Sequence, residues 1–324
     1  MAVSPPTVLV LRALGLGDLL TAVPALRGMR SGCPDHRVLL AAPAPLRELA
    51  LLTGAVDDLV PTARLGPIPW PGQPAVAVNL HGRGPQSTHA LCALRPATVL
   101  AHAHPGVQGP HWVPDLHEVH RWCRLLQYFG IQADPADLEL DHPPVSSPVP
   151  GAVVVHPGCG SVARNWPTER YAAVARRLTA ERLQVVVTGN AAQYPLASQV
   201  AAAAGLPDHA VLAGRTTLTQ LATVVAQAAL VVCGDTGVAH LATAYRTPSV
   251  VLFGPVPPQH WGPPSQRPQH IALWTGTIGN TFAHRPDPSL LRIPTAAVIA
   301  AAVGLLDRYP VTELPGPPSP GLCQ

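Results

Sequence analysis

Residues 229–255 read ALVVCGDTGVAHLATAYRTPSVVLFGP. The apolar run Leu230–Cys233 stops at a turn built from Gly234, Asp235, Thr236 and Gly237. The helix-forming stretch VAHLATAY follows, and a second apolar run, SVVLF, closes on Gly254 and Pro255. Short apolar runs bounded by glycine and proline read as buried strands. A helix between two strands is the crossover that parallel neighbours need and a hairpin does not. The expected fold is therefore α/β with mostly parallel sheets.

The alternation continues towards both ends. TVLVLR (7–12) reads as a strand, Ala13–Gly17 as a glycine turn, and Asp18 opens a helix whose pattern is interrupted at Pro24. RVLLA (37–41) is a second strand, LRELALL is helical, and VDDLVP, AVAVNLHG and ATVLAH are short apolar segments. Within 115–129, Leu116, Val119, Cys123, Leu126 and Phe129 share one helix side. The proline-rich stretch 141–152 (DHPPVSSPVPGA) carries neither period and marks a domain boundary. A second series then runs AVVVHPG (strand and turn), a helix opened by Pro167, LQVVVTGN (strand), PLASQVAAAAG (helix), HAVLAG (strand) and TLTQLATVVAQA, a helix capped by Thr217 or Thr219. The expectation is an N-terminal domain over 1–145, a second over 152–294, and a C-terminal segment over 295–324. In that last segment, helix 295–308 packs back on the N-terminal domain and a Pro/Gly-rich tail frays from Pro310. Ligands of open α/β sheets sit beyond the strands' C-terminal ends, so the site is expected in a cleft between two facing domains.

Composition narrows the chemistry. Apolar types reach 47% and charged types only 12%, against about 25% charged in an ordinary globular chain, which excludes charge-driven disorder. All 21 basic residues are arginine. With no lysine there is no Schiff base and no Walker lysine. A net charge of +3 on dispersed arginines does not make a nucleic-acid surface. Six cysteines, with no CxxC pair and no metal-ligand spacing, read as reduced, unpaired thiols in a cytoplasmic protein. The opening reads as a strand rather than a leader, and no apolar run has the length of a membrane span. A monomer or weak dimer is expected.

Three strand–turn–helix junctions carry candidate chemistry. In the first, Gly15-Leu16-Gly17-Asp18 places a carboxylate at a helix start, where it either serves a ligand or simply caps its helix. It is not a dinucleotide fingerprint, because the third glycine and the later acidic residue are missing. In the second, His156-Pro157-Gly158-Cys159-Gly160-Ser161 and then Arg164 offer backbone N–H groups and a guanidinium to an anion; the alternative is an ordinary loop. The third, Asp235-Thr236-Gly237 with His240, suits a diphosphate at a helix start, or else a plain cap. Gly254 ends the next strand and lines the same place. His81-Gly82-Arg83 ends a strand in the first domain, where it either touches an acceptor or is an ordinary loop. His117-Glu118-Val119-His120 fails the zinc signature because Arg121 stands where the second histidine belongs, and it reads as helix surface.

With these motifs in hand, the chain resembles glycosyltransferase family 9, which includes the heptosyltransferases of lipopolysaccharide core synthesis. The resemblance rests on VLRALGLGDLLTAVPALRGMR, on HPGCGSVARNWPTERYAAVARRL, on VVVTGN and on AGRTTLTQLATVVAQAALVVCGDTGVAHLATAYRTPSVVLFGP, colinear over roughly 7–300. It implies a GT-B fold, two Rossmann-like parallel-sheet domains facing across a cleft, with the acceptor on the first and the donor on the second. It implies inverting, metal-independent transfer from a nucleotide-diphosphate sugar, commonly ADP-heptose, to a hydroxyl acceptor, without a cofactor. Asp18 matches the family's general base, and Gly17, His81 and Arg83 fall on the acceptor side. Gly158, Gly160, Ser161, Arg164, Thr236, Gly237 and His240 match the donor diphosphate site. Asp235, Gly189, Gln193 and Gly254 orient nucleotide and sugar.

The chain also departs from the family pattern. Arg164 replaces a lysine, Gln193 stands near a glutamate that binds the nucleotide ribose, and Gln86 replaces a lysine before Ser87. Arginine, alanine and proline without lysine suggest a GC-rich genome, such as that of an actinomycete without lipopolysaccharide. A natural-product, small-molecule or glycan acceptor is then expected. The alternatives are a nucleotide-sugar epimerase or hydrolase of GT-B type, or a non-catalytic binding protein.

Overall fold

In the computed structural model, which describes residues 5–310, the early strands β1 (Thr7–Leu11), β2 (Arg37–Ala42), β3 (Asp58–Pro61), β4 (Val76–Asn79) and β5 (Thr98–Leu100) form one sheet in the order β3-β2-β1-β4-β5. A second sheet is built from β6 (Val153–His156), β7 (Val185–Val187), β8 (Leu230–Gly234), β9 (Ser249–Leu252) and β10 (His270–Leu273), ordered β10-β9-β8-β6-β7. Every ladder between these strands is parallel, with Val8 opposite Val38 and Val76 in the first sheet and Val154 opposite Val186 and Val231 in the second. Val8 to Leu11 and Val153 to Val155 are wholly buried, because helices cover both faces of a parallel sheet. Burying each such side chain contributes roughly 1.5–3 kcal/mol.

The helices run in chain order α1 (Leu16–Thr21), α2 (Val23–Gly32), α3 (Arg47–Leu51), α4 (Gln86–Cys92), α5 (Glu118–Tyr128), α6 (Thr168–Ala180), α7 (Tyr194–Ala204), α8 (Leu218–Ala226), α9 (Gly237–Ala244), α10 (Pro258–Trp261), α11 (Pro288–Leu291) and α12 (Thr295–Arg308). Pro24 falls in the first turn of α2, where its missing N–H costs nothing. The interrupted pattern there is therefore two helices meeting at Ala22. Thr217 caps α8 and Gln220 returns the bond. These are the two parallel sheets with flanking helices of a GT-B fold, each domain Rossmann-like.

The chain divides into two units. One holds the chain up to Pro143 with Asp235–Tyr245 and Val256–Gln266; the other holds Pro144–Gly234, Arg246–Pro255 and the chain from Arg267 onward. In the first, the order reverses between β1 and β4. In the second, it reverses between β6 and β8. Loops leaving the strands at such a reversal splay apart and open a crevice. Asp18 and His81 follow β1 and β4; Gly158 and Asp235 follow β6 and β8.

Some expectations change. The strand expected in HAVLAG reduces to one parallel bridge, Val187 to Val211, because Asp208–Ala210 coils into a short 3-10 turn. Strand β10, unforeseen, extends the sheet beside β9. Helix α12 does not pack back on the N-terminal domain: Val298, Ala302 and Leu305 are buried in the core of the second unit with Leu178, Leu230 and Leu252. The tail beyond Pro310, with Cys323, lies outside the described residues. Among the described residues no helix is long and apolar enough to cross a membrane.

Candidate functional site

In the first unit the site grows from a charged residue at the end of a buried strand. Arg12 follows β1 and is 2% exposed. Its guanidinium donates to the carbonyls of Asp18 and Leu80, to Thr21 Oγ1 at 3.2 Å, to Glu118 Oε1 at 3.0 Å and to Asp18 Oδ1 at 3.4 Å. Asp18 sits in the first turn of α1, and its Oδ2 accepts from Gly15 N–H at 3.2 Å. Its side chain stays 27% exposed while that of Arg12 is closed off. The carboxylate is thus fixed from behind and open in front. Asp18 therefore caps its helix and still keeps an exposed carboxylate edge.

Glu118, expected on a helix surface, is buried instead. Its Oε1 also accepts from Trp122 Nε1 at 2.9 Å and its Oε2 from Arg121 Nε at 3.0 Å. Arg121 donates to the carbonyls of Val113, Pro114 and Leu116 and lies over the Trp112 ring at 3.9 Å. One unused sequence signal bears on this network: an arginine ending an otherwise apolar strand must find a partner.

Helix α9 packs its first turn on α1 within this unit. A Cβ on Gly17 would come 2.9 Å from His240 Cδ2, and one on Gly237 would come 2.9 Å from Leu16 Cβ. The two glycines therefore set how closely the helix starts approach. Desolvation pushes the His240 imidazole down to about 4, with Asp18 pulling the other way. The ring is neutral near neutral pH. His117 Nε2 donates to the Gly262 carbonyl at 3.0 Å while Nδ1 accepts from Val119 N–H, a pairing that needs the neutral tautomer; burial lowers this histidine too. His81 follows β4, and its N–H is held by Asn79 Oδ1 at 3.1 Å. Its imidazole is lowered by burial first and by Arg12 second, against Asp18. Arg83 is exposed on the same loop. Thr236 occupies the N-cap of α9 and makes no side-chain cap bond, while Asp235 beside it is buried.

In the second unit, loop 157–165 leaves β6. A Cβ on Gly158 would overlap the Gln193 carboxamide, so Gln193 folds over this glycine. Gln193 Oε1 in turn accepts from Asn190 N–H at 3.0 Å, and Asn190 Oδ1 accepts from Gln193 N–H at 3.0 Å. Gly189 packs under the same side chain, with a built Cβ 3.1 Å from Gln193 Cβ. A Cβ on Gly160 would stand 3.3 Å from Arg164 Nη2. Ser161 Oγ donates to the Thr281 carbonyl at 2.6 Å and accepts from Ala163 N–H at 3.3 Å. Its hydroxyl therefore ties loop to loop. The built Cβ of Gly234 is 3.4 Å from the Arg164 carbonyl, and that of Gly254 is 3.7 Å from the Ala163 carbonyl. The ends of β6, β8 and β9 thus converge on residues 163–164. Among the described residues no three His, Cys, Asp or Glu side chains stand together as a metal site.

The sequence model of glycosyltransferase family 9 (heptosyltransferase) matches residues 107–282. Lipopolysaccharide heptosyltransferase 2 of Escherichia coli K12 is 35% identical over 117 residues, 35% of this chain and 34% of that protein. Lipopolysaccharide heptosyltransferase 3 of Escherichia coli is 31% identical over 174 residues, 52% of this chain and 50% of that protein. The matches thus span about a third to a half of these relatives' length. In structure, the E. coli ADP-heptose lipopolysaccharide heptosyltransferase II superposes with a TM-score of 0.74 at 21% identity, covering 93% of this chain and 99% of that one. A family 9 glycosyltransferase from Veillonella parvula DSM 2008 gives 0.77 at 18% identity, covering 95% and 99%. Fold and family model agree, and the family model covers more than half of the chain: this chain belongs to glycosyltransferase family 9.

Proposed function

We propose that the chain is an inverting, metal-independent glycosyltransferase that moves a sugar from a nucleotide-diphosphate donor to a hydroxyl of a small-molecule, natural-product or glycan acceptor. Heptose from ADP-heptose is the favoured donor group, supported by the heptosyltransferases among the relatives. The observation that carries the reading is Asp18, a carboxylate steadied by Arg12 and Gly15 and open on one side, next to an uncharged His240.

In this reading Asp18 takes the proton of the acceptor hydroxyl. The acceptor oxygen bonds to the anomeric carbon as the bond from that carbon to the diphosphate oxygen breaks. The electron pair leaves with the nucleoside diphosphate, and the configuration inverts. Arg164, with the N–H groups of loop 158–161 and of Thr236–Gly237, offsets the charge that grows on the leaving group. His240 adds a neutral donor there, Asp235, Gly189, Gln193 and Gly254 orient nucleotide and sugar, and Gly17, His81 and Arg83 face the acceptor.

The test is mass spectrometry of a nucleotide-sugar panel with and without candidate hydroxyl acceptors, run on the wild type and on Asp18→Asn. Nucleoside diphosphate released together with a glycosylated acceptor, and cut about 10²–10⁴-fold by D18N, supports the reading. Donor consumed equally well without acceptor indicates an epimerase or hydrolase. Binding with no turnover of any donor indicates a binding protein. Near-full turnover in D18N removes Asp18 as the base.

A further inference from the structure

Arg12 is shared unequally between two carboxylates. Its Nη2 stands 3.0 Å from Glu118 Oε1 and 3.4 Å from Asp18 Oδ1. The nearer partner is the buried one: the Glu118 side chain is 11% exposed and that of Asp18 27%. Glu118 Oε2 also pairs with Arg121 Nε at 3.0 Å, so Glu118 faces two guanidiniums at once. A charge-assisted N–H···O bond closes to about 2.7–2.9 Å when nothing competes for the donor, and the Arg12–Asp18 contact has not closed. The same Nη2 also donates to Thr21 Oγ1 at 3.2 Å, while the rest of the guanidinium is held by the carbonyls of Asp18 and Leu80 and by the Trp122 face at 4.8 Å. These contacts keep the guanidinium in place and leave Nη2 a small shift between the two acids.

We propose that Arg12 and Glu118 are positioning residues for Asp18: Glu118 draws the guanidinium away, so that Arg12 orients the Asp18 carboxylate without locking it into a full ion pair. This rests on Asp18 being the reacting carboxylate. A tight Arg12–Asp18 pair would hold the acid's lone pairs and remove them from the acceptor hydroxyl. Arg12 with no contact would leave Asp18 free to rotate. Glu118 sets the balance between these two states from α5, in the same unit but 100 positions away in sequence. It touches no substrate in this account and acts only through Arg12.

The decisive variant is Glu118→Gln, which keeps the shape and the bond from Trp122 but removes the charge. Its crystal structure is expected to show Arg12 Nη2 closing on Asp18 Oδ1 from 3.4 Å to about 2.8 Å. Kinetically, kcat on the best donor–acceptor pair from the panel falls at least tenfold, while KM for the donor stays within twofold. Glu118→Asp, with the charge restored one methylene further back, recovers part of kcat; it also serves as the test variant if Gln fails to fold, the Arg12–Asp18 contact then shortening less. An unmoved Arg12–Asp18 separation, or a kcat equal to wild type, overturns the proposal. The two readings fail separately. If D18N keeps its turnover, the base assignment falls, and the separation in the Glu118 variants still decides whether Glu118 governs Arg12. If D18N is inactive and Glu118→Gln is normal, only the present inference falls.

Discussion

Gly17 and His240 are in such close contact that a single methyl group on the glycine would lie 2.9 Å from Cδ2 and 3.3 Å from Nε2 of the imidazole. The ring also meets Trp261 edge-on, 6.0 Å between centroids. Gly17→Ala must therefore shift His240 or part α1 from α9. The expected cost is about 1–3 kcal/mol of stability, with a fall in turnover because Asp18 is the next residue. Gly15→Ala is the control: its Cβ would be 3.6 Å from Asp18 Oδ2, an ordinary contact, and its backbone is extended. Urea denaturation and turnover of both variants check this; equal behaviour of the two would mean that the packing of α1 on α9 does not matter.

Arg164 lies on the loop where the ends of β6, β8 and β9 converge, with Nη2 beside Gly160. If it faces the donor diphosphate, Arg164→Ala weakens nucleoside-diphosphate binding by roughly 1.5–3 kcal/mol, the worth of a hydrogen bond to a charged group. That is about 10–100-fold in Kd. Arg164→Lys keeps the charge and loses the fork, and it should fall between. Calorimetric titration with ADP reads both. An unchanged Kd in Arg164→Ala refutes the contact.

Apart from β10, whose HIAL is mostly half-buried, the strands were legible because they are short Val- and Leu-rich runs closed by glycine, proline or a polar turn, and because buried parallel strands need no alternation. HAVLAG satisfied the same rule and still made only one bridge, since the chain enters it from a 3-10 turn. Asp18 was legible as a candidate from its place at a strand–turn–helix junction. The network behind it was not: Arg12 reaches Leu80 and Glu118, 68 and 106 positions away, and no local spacing encodes such a pair. Ser161 shows another contact that spacing does not encode. Its position in a glycine-rich turn suggests an anion ligand, and its hydroxyl also donates to the Thr281 carbonyl, 120 positions on.

Two deeply buried histidines predict how stability responds to acid. His156 and His270 are both pushed down to about 4, in each case first by burial, against about 6.5 in the unfolded chain. Above 6.5 both states are neutral and the fold keeps its full stability. Between 6.5 and about 4 the unfolded chain takes up protons that the fold refuses, so stability falls with pH at about 1.4 kcal/mol per unit for each histidine. Between pH 7 and 5 each contributes a loss of about 2 kcal/mol. His270→Gln, which retains a polar partner for Ser249 Oγ (2.9 Å from Nδ1), should remove about that much of the drop. Urea midpoints at the two pH values measure it, and an unaltered pH slope in the variant would sink the assignment.

If Gln193 faces the nucleotide ribose, the charge at this position is a handle on nucleotide binding. Its Oε1 is spent on Asn190 N–H at 3.0 Å and its stem lies over Gly158 and Gly189, which leaves the amide NH2 as the end able to meet a ligand. An NH2 group donates, so it pairs poorly with the hydrogens of ribose hydroxyls. Gln193→Glu keeps the bond to Asn190 through one oxygen and presents the second as a charged acceptor. A ribose hydroxyl donating to that oxygen gains roughly 1.5–3 kcal/mol. The expected outcome is therefore tighter binding of ADP, by about tenfold or more, with no gain for 2′,3′-dideoxy-ADP, which lacks both donors. Parallel titrations of the two ligands against wild type and variant decide it. An equal gain for both would show that residue 193 acts on the loop rather than on the ribose, and a loss for both would show that the new charge faces the diphosphate.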